Sequence, residues 1–273
     1  RPATGTQAEL CTDMNEAFSQ SFVMNGVLYL LDGQTYRAVR KNSAGTAWEA
    51  VKVQDVAYVP TTTISAQPTG GGTSYEAVNL LTPKRINTFI GDGKSTEFCL
   101  DAAGLDRIPL TAAVNGAEVA IASVDYDKGR VALASAPPDG QGHDNVSIAF
   151  SKTVPGAAAK INRCRIAGLY GGKNDTRVFL AGNPDEPHCD WQSGLYDPSY
   201  FPDTARMGTE ASAIAGYLKQ YESQIIVKTG GAQEATSFAR TFVMTEDGAS
   251  YFSLRQGAHG EGAVAPRSFA MLG

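Results

Sequence analysis

FVMNGVLYLLDGQTYRAV, residues 22–39, sets the architecture. Phe22-Val23-Met24 runs into Asn25-Gly26, and both turn residues tolerate the positive φ that a two-residue hairpin turn requires. Val27 to Leu31 follows, Asp32-Gly33 turns the chain again, and Tyr36 to Val39 makes a third strand. Short apolar runs linked by tight turns predict an antiparallel meander. Upstream, AELCTDMNEAFSQ (8–20) sets Leu10, Met14 and Phe18 four residues apart, a spacing that predicts one short helix.

A second region opens near Asn87. Turn signals recur at Gly91-Asp92-Gly93, Asn115-Gly116, Asp127-Lys128-Gly129 and Asp139-Gly140. Strands are expected between them, near 95–100, 110–114, 117–122, 130–134 and 145–150. Val131 and Leu133 alternate with polar or small neighbours, as do Val146, Ile148 and Phe150. Five short strands suffice for a small β-sandwich or barrel. Beyond Pro155 the meander style returns, with strands expected at 163–170, 177–181, 213–217, 224–228, 242–244 and 250–254.

Three segments share one character. RVFLAGNP (177–184) and QIIVKTGG (224–231) start 47 residues apart, and GVLYLLDGQTY (26–36) is built alike. A repeat of roughly 40–50 residues with about four strands each is the β-propeller period. Another antiparallel sandwich is the competing reading. The expected fold is therefore all-β: a partial, β-propeller-like antiparallel meander with an inserted five-stranded β-sandwich or barrel module. Residues 1–85 form the first part of the meander, 86–153 the inserted module, and 154–273 the second part. TPKR (82–85) and SKTVPG (151–156) read as the junctions, since surface loops tolerate insertions.

Composition excludes several functions. The net charge of −5 and the scattered Lys and Arg leave no basic face of the kind phosphate contacts demand. The four cysteines, at 11, 99, 164 and 189, show no C-x-x-C pair. No apolar run approaches the ~20 residues that span a bilayer. The chain starts at Arg1 rather than Met, which reads as a processed or truncated piece of something longer.

The densest chemistry lies in GNPDEPHCDWQSGLYDPSYFPD (182–203). A metal site there would use Asp185, His188, Cys189 and Asp190, but adjacent side chains of an extended chain point apart and do not converge. The same geometry argues against a Cys189–His188 nucleophile pair, and no G-x-S-x-G elbow occurs. PTGGGTS and GDGKST both lack the full spacing of a phosphate loop. Adjacent acids such as Asp185-Glu186 and Glu246-Asp247 cannot straddle a glycosidic bond. The better reading is an ordered flap, turned by Asx residues and stiffened by proline. Its aromatic residues, Trp191, Tyr196, Tyr200 and Phe201, are the expected interface residues. No catalytic, cofactor-binding or metal residues are assigned.

The same stretch, preceded by RVFLAG, resembles a segment of bacteriophage and prophage structural proteins. The pattern there is a strand ending in GNP-x-x-P, an aromatic residue, then Ser-Gly/Ala-Leu-x-Asp-Pro-x-Tyr-Phe-Pro. VAYVPTTTISAQPTGGGTSYEAVNLLTPKR (56–85) is similar to that family's strap before the inserted module. FIGDGKSTEFCLD, VNGAEV and VDYDKGRVALASAPPDG resemble a small β domain recurrent in phage virion proteins. The chain as a whole is most similar to β-propeller tail-nozzle or tail-hub proteins. The resemblance implies a ring-forming structural component of a tail, not an enzyme, made in the bacterial cytoplasm and resident in the virion. Its implied partners are copies of itself, other tail or connector proteins, and DNA passing without sequence-specific binding, with no membrane-spanning segment. One departure stands out: the roughly 200 residues outside the module are too few for a six- to eight-bladed propeller. Two alternatives compete, a carbohydrate-binding or host-recognition module of the virion and a glycosidase propeller.

Overall fold

A computed structural model describes residues 8–15, 18–208, 212–229, 236–246 and 249–259. These residues are nearly all β, arranged in several mostly antiparallel sheets, none of them closed. The chain divides into two compact units. One draws on Arg1–Val56, Ala158–Phe201 and Ala205–Gly273; the other comprises Ala57–Ala157 and Pro202–Thr204. Among the described residues, no helix is long and apolar enough to cross a membrane.

The larger unit begins with strands β1 (Gln20–Met24), β2 (Val27–Leu31), β3 (Tyr36–Lys41) and β4 (Trp48–Lys52), which form one antiparallel sheet in chain order. Asn25 (φ 53°) and Gly26 (φ 75°) both sit at positive φ, as the tight turn requires. The Asp32 carboxylate closes the next turn by accepting the Gln34 and Thr35 N–H groups, at 2.8 and 2.6 Å. The helix expected over 8–20 is not formed: residues 8–15 and 18–19 are irregular and β1 starts at Gln20. Its apolar stripe is not buried as a unit: Leu10 and Phe18 are exposed and Met14 is half-buried. Its polar groups bond outward instead: Asp13 pairs with Arg37, and the Asn15 N–H binds Asp32.

The second unit carries β5 (Thr61–Ala66), β6 (Thr73–Ser74), β7 (Lys84–Phe89), β8 (Glu97–Cys99), β9 (Thr111–Val114), β10 (Ala117–Val119), β11 (Ile121–Asp125), β12 (Arg130–Leu133) and β13 (Val146–Ser151). Six strands form one sheet in the order β10-β9-β13-β7-β5-β6, and β11-β12-β8 form another. The β5–β7 pair is parallel. Phe89, Phe98, Ala112, Val131, Leu133, Val146 and Ile148, drawn from both sheets, share one buried core with Ala66. Phe89 and Phe98 meet edge-on at 5.2 Å. The glycine-rich stretch before β6 is a fixed turn. Gly72, at φ +94°, lies where a Cβ would come within 2.7 Å of the Ile64 carbonyl. Lys84 and Arg85, read as a junction in the sequence, are the first residues of β7.

The larger unit resumes with α1 (Ala157–Asn162), a six-residue helix that the sequence reading did not anticipate. Two more antiparallel sheets follow in chain order: β14 (Ile166–Tyr170), β15 (Arg177–Ala181), β16 (Cys189–Gln192) and β17 (Arg206–Gly208), then β18 (Ile214–Gln220), β19 (Ser223–Lys228), β20 (Thr236–Met244) and β21 (Ser250–His259). The three look-alike segments of the sequence are β2, β15 and β19, each the second strand of a four-stranded sheet. First strands meet: β14 contacts both β1 and β18. The Gln20 carboxamide clips this junction, donating to the Ala167 carbonyl (3.2 Å) and accepting from the Ala167 N–H (3.0 Å).

Backbone geometry in the second unit yields one direct test. Gly129 has φ +66°, and a Cβ there would stand 1.9 Å from the Ala102 carbonyl oxygen. Gly129→Ala is expected to destabilise by at least about 1–3 kcal/mol, read as a lower midpoint in urea melts. Gly116→Ala has nothing within 4 Å. It pays only for its own positive φ and should cost less.

Candidate functional site

The 182–203 stretch is turned mainly by its own polar residues. Gly182 (φ +79°) bends the chain out of β15. The Asn183 side chain then donates to the Ala159 and Lys160 carbonyls at 3.2 and 2.9 Å and accepts the Asp185 N–H at 2.9 Å. Asp185 pairs with Arg163, and Glu186 with Arg206. The chain next enters β16, which is buried at Cys189, Asp190 and Trp191. It leaves through a second turn, where the Asp197 carboxylate accepts the Ser199 N–H at 2.8 Å and the Gly194 N–H donates to the Tyr200 carbonyl at 2.7 Å.

The four expected interface residues separate. Trp191 and Phe201 are fully buried, Tyr200 is half-buried, and Tyr196 is exposed. Trp191 lies opposite Leu180 in the sheet. Phe201 meets the Tyr36 ring edge-on at 6.2 Å, and the Tyr36 hydroxyl donates to the Pro198 carbonyl. These two aromatic side chains therefore spend their area inside the larger unit. Tyr196 holds a positive φ of 54°; its N–H donates to the Thr176 carbonyl, and its carbonyl accepts the Asn25 side chain. Asp185, His188, Cys189 and Asp190 are not brought together, since Asp185 is engaged with Arg163 while Cys189 and Asp190 point to opposite sides of β16. Among the described residues, no three His, Cys, Asp or Glu side chains are grouped to hold a metal ion.

What the structure does bring together is a charged cluster between the second and third sheets of the larger unit. Arg240 and Asp190 are each about 1% exposed or less. One guanidinium nitrogen reaches both Asp190 carboxylate oxygens, at 2.8 and 2.7 Å, and another donates to Gln224 Oε1 at 2.7 Å. The guanidinium plane lies 4.0 Å from the Phe179 ring centroid. The Tyr217 hydroxyl donates to Asp190 Oδ2 at 2.8 Å. Gly168 admits this arrangement, because a Cβ there would strike the Tyr217 ring at 2.6 Å. Apolar packing from Ala181, Ile214, Ile226, Phe238 and Leu254 lies between the same two sheets and keeps their interface dry.

Burial sets the electrostatics. The Tyr217 hydroxyl is pushed well above the usual tyrosine range, by loss of water first and by the Asp190 charge second. Burial likewise raises the Cys164 and Cys189 thiols. Lys228, on the same side of β19 as Gln224, is fully buried and lowered to about 8. Burial drives that shift, and Cys189 and Asp190 oppose it. All four cysteines are free thiols.

The sequence reading missed this cluster, although its signal is present. In SFARTFVM, Arg240 alternates with Phe238 and Phe242, which puts a charge on the apolar face of a strand. In QIIVK, Gln224 and Lys228 share a side with Ile226. A charge on a core face implies a buried counter-charge. Only the fold shows that Asp190, some 50 residues away, supplies it.

A separate cleft of about 420 Å³ opens where the three first strands approach one another, lined by Gln20, Ser21, Ala167, Gly216, Tyr217 and their neighbours. No family profile, curated protein or solved structure matches the chain.

Chemically, the Arg240 cluster is committed to itself. Its cation is paired, stacked and dry, with no face turned to a substrate, so it acts as a joint between two sheets. Removing one partner strands a buried charge: Arg240→Met or Asp190→Leu alone should cost about 3–5 kcal/mol in denaturant melts. The double variant should be closer to wild type than either single variant.

Lys228 supplies a pH test. Its folded pKa lies below its ordinary value of 10.5, so unfolding takes up a proton between about 8 and 10.5. Its contribution to stability therefore rises with pH across that window, whereas the raised thiols of Cys164 and Cys189 act in the opposite sense from about pH 9 upward. Tyr217, raised above 10.0, reverses the trend from about pH 10 upward. Cys164 and Cys189 are common to both proteins, so the test is the difference: between about pH 7.5 and about pH 9.5 the denaturant midpoint of the wild type should rise relative to that of Lys228→Met.

Proposed function

We propose that the chain is a structural subunit of a phage or prophage tail, a nozzle, hub or connector piece. It assembles with copies of itself into a ring around a DNA channel. On this reading the three meanders are blades of an incomplete β-propeller, and residues 86–153 belong to a small sandwich or barrel module. Other tail proteins dock on the ring, and the virion is where it works.

One observation carries the reading. Three four-stranded antiparallel sheets follow one another in the larger unit, and their first strands approach one another around a single open cleft. Blades meet around an axis in this way, and radial repetition protects sheet edges only when the circle is completed. Among the described residues the three sheets do not close a circle, and identical copies can supply further ones. The charged cluster adds support, since its one buried cation and one buried anion are spent on each other. A net charge of −5 lets a polyanion slide by without sticking.

A second reading rests on Tyr221, which is 92% exposed at the β18–β19 turn with φ 51°. A strained aromatic held out in water suits contact with a sugar face, as a host-recognition module would need.

Negative-stain images of the purified full chain separate the two. Rings with a central opening are expected, together with no retention on immobilised duplex DNA at physiological salt. A monomer at micromolar concentration, or a closed particle without an opening, would remove the ring reading. Saturable binding on a glycan array that Tyr221→Ala abolishes would favour the second.

A further inference from the structure

A second cleft of the larger unit, of about 390 Å³, opens between the β14–β15 turn, the β18–β19 turn and the end of β20. The first turn supplies Gly172, Lys173 and Asn174 to its walls, the second Glu222, and β20 supplies Phe242 and Met244. Hydrogen bonds fix these elements against one another. The buried Tyr170 hydroxyl accepts the Phe242 N–H at 3.0 Å and donates to the Glu222 carbonyl at 2.6 Å. Lys219 Nζ ties the two turns again by donating to the Asp175 carboxylate at 2.7 Å. Gly172 (φ +91°) lies on the Phe242 side chain, where an added Cβ would come within 3.2 Å. The cleft is thus shaped before any ligand arrives, which lowers the cost of binding one.

Its lining sets a few polar groups beside apolar ones, the make-up of small-molecule sites. Phe242 is half-buried and Met244 is exposed. Lys173 and Glu222 are mostly exposed, and the 3.9 Å between them is too wide for a hydrogen bond, so both keep their bonding capacity. Asn174 is exposed as well. Tyr221 adjoins Glu222: Gln220 pairs with Ser223, so Tyr221 and Glu222 make up the whole turn. A turn this tight favours Asn or Gly where φ is positive, yet it holds a tyrosine at φ 51°. A strained position that keeps a bulky side chain points to a use for that side chain.

The chemistry of the walls selects the ligand. Among the described residues that line the cleft, Lys173 and Glu222 are the charged ones, one of each sign. The flanking Lys219–Asp175 pair adds no net charge. The walls therefore favour neither an anion nor a cation. A carboxylate only accepts hydrogen bonds, an ammonium only donates and an amide does both. Adjacent hydroxyls on one neutral ring satisfy all three, because each hydroxyl donates and accepts. The C–H face of such a ring suits the apolar wall of Phe242 and Met244. We propose that this cleft binds a neutral sugar ring, with Glu222, Lys173 and Asn174 on its hydroxyls and Tyr221 against the adjoining part of the glycan. The inference rests on the second reading above, that Tyr221 meets a sugar, and gives that reading its site and ligand class. It does not depend on the ring.

The test applies the full chain to an array of neutral, sialylated and sulfated glycans, then titrates the best-bound neutral glycan by calorimetry. Circular dichroism confirms folding of each variant; the side chains changed are exposed, so the fold should tolerate their loss. Saturable retention of neutral glycans is expected. Glu222→Ala, Asn174→Ala and Tyr221→Ala should each raise the Kd about tenfold. Tyr75→Ala, which removes an exposed aromatic side chain of the other unit, should leave it unchanged. Binding that Tyr221→Ala abolishes but Glu222→Ala and Asn174→Ala leave intact would overturn this cleft and leave the Tyr221 reading standing. Retention of sialylated or sulfated glycans alone would overturn the neutral class. An array without any retained glycan would sink the cleft and the Tyr221 reading together.

Discussion

A guanidinium cut off from water fixes how the second and third sheets of the larger unit meet. Arg240 reaches Asp190 with both oxygens in range, leans on Phe179 and takes Gln224 as a further acceptor. Two dry ions are expensive to bury, so the pair adds little stability over an apolar isostere. What it adds is selectivity. Apolar faces slide over one another at small cost, whereas a buried guanidinium that must meet both Asp190 and Gln224 does so in one position only. The second and third sheets thus have one relative placement, and the Tyr217 hydroxyl and the missing Cβ of Gly168 belong to the same arrangement.

That placement has consequences at the other face of the second sheet. Trp191 points away from the cluster, opposite Leu180, and both are fully buried. Beyond them the aromatic set of the first sheet stacks internally, Phe22 on Tyr29 at 5.0 Å and Tyr29 on Tyr36 at 5.7 Å. The 182–203 stretch feeds both sides. Its middle supplies Asp190 to one face and Trp191 to the other, and its end supplies Phe201 to Tyr36. A segment dense in polar residues is therefore structural at its centre and open to solvent at Pro184-Asp185, at Leu195-Tyr196 and at Asp203.

The strands were legible where local chemistry decides them. Asn25-Gly26 and Asn115-Gly116 turned as their φ preferences dictate, and the period-two runs of β12 and β13 gave their buried faces. Local signals failed where distant partners decide. The spacing of Leu10, Met14 and Phe18 suits a helix, yet Leu10 and Phe18 stay exposed, and Asp13 and Asn15 are claimed by residues of the first sheet and its turn. β16 was hidden inside an aromatic loop because CDWQ has no alternation of its own; its partners in β15 and β17 make it a strand. The aromatic residues of the loop were read as surface because aromatic and polar residues look alike in an interface and around a buried turn. Only the pairing of β16 separates Trp191 from Tyr196.

The two-sided apolarity of VLYLL follows from the same logic. A strand at the end of a stack needs only one apolar face, and one in the middle needs two. β15 is apolar on both sides, and the second sheet, to which it belongs, has neighbours on both sides within the chain. β2 carries the same pattern although the first sheet begins the series. Leu28 and Leu30 share their face with Arg37, which is buried and paired with Asp13, so the preceding segment contributes to covering that side.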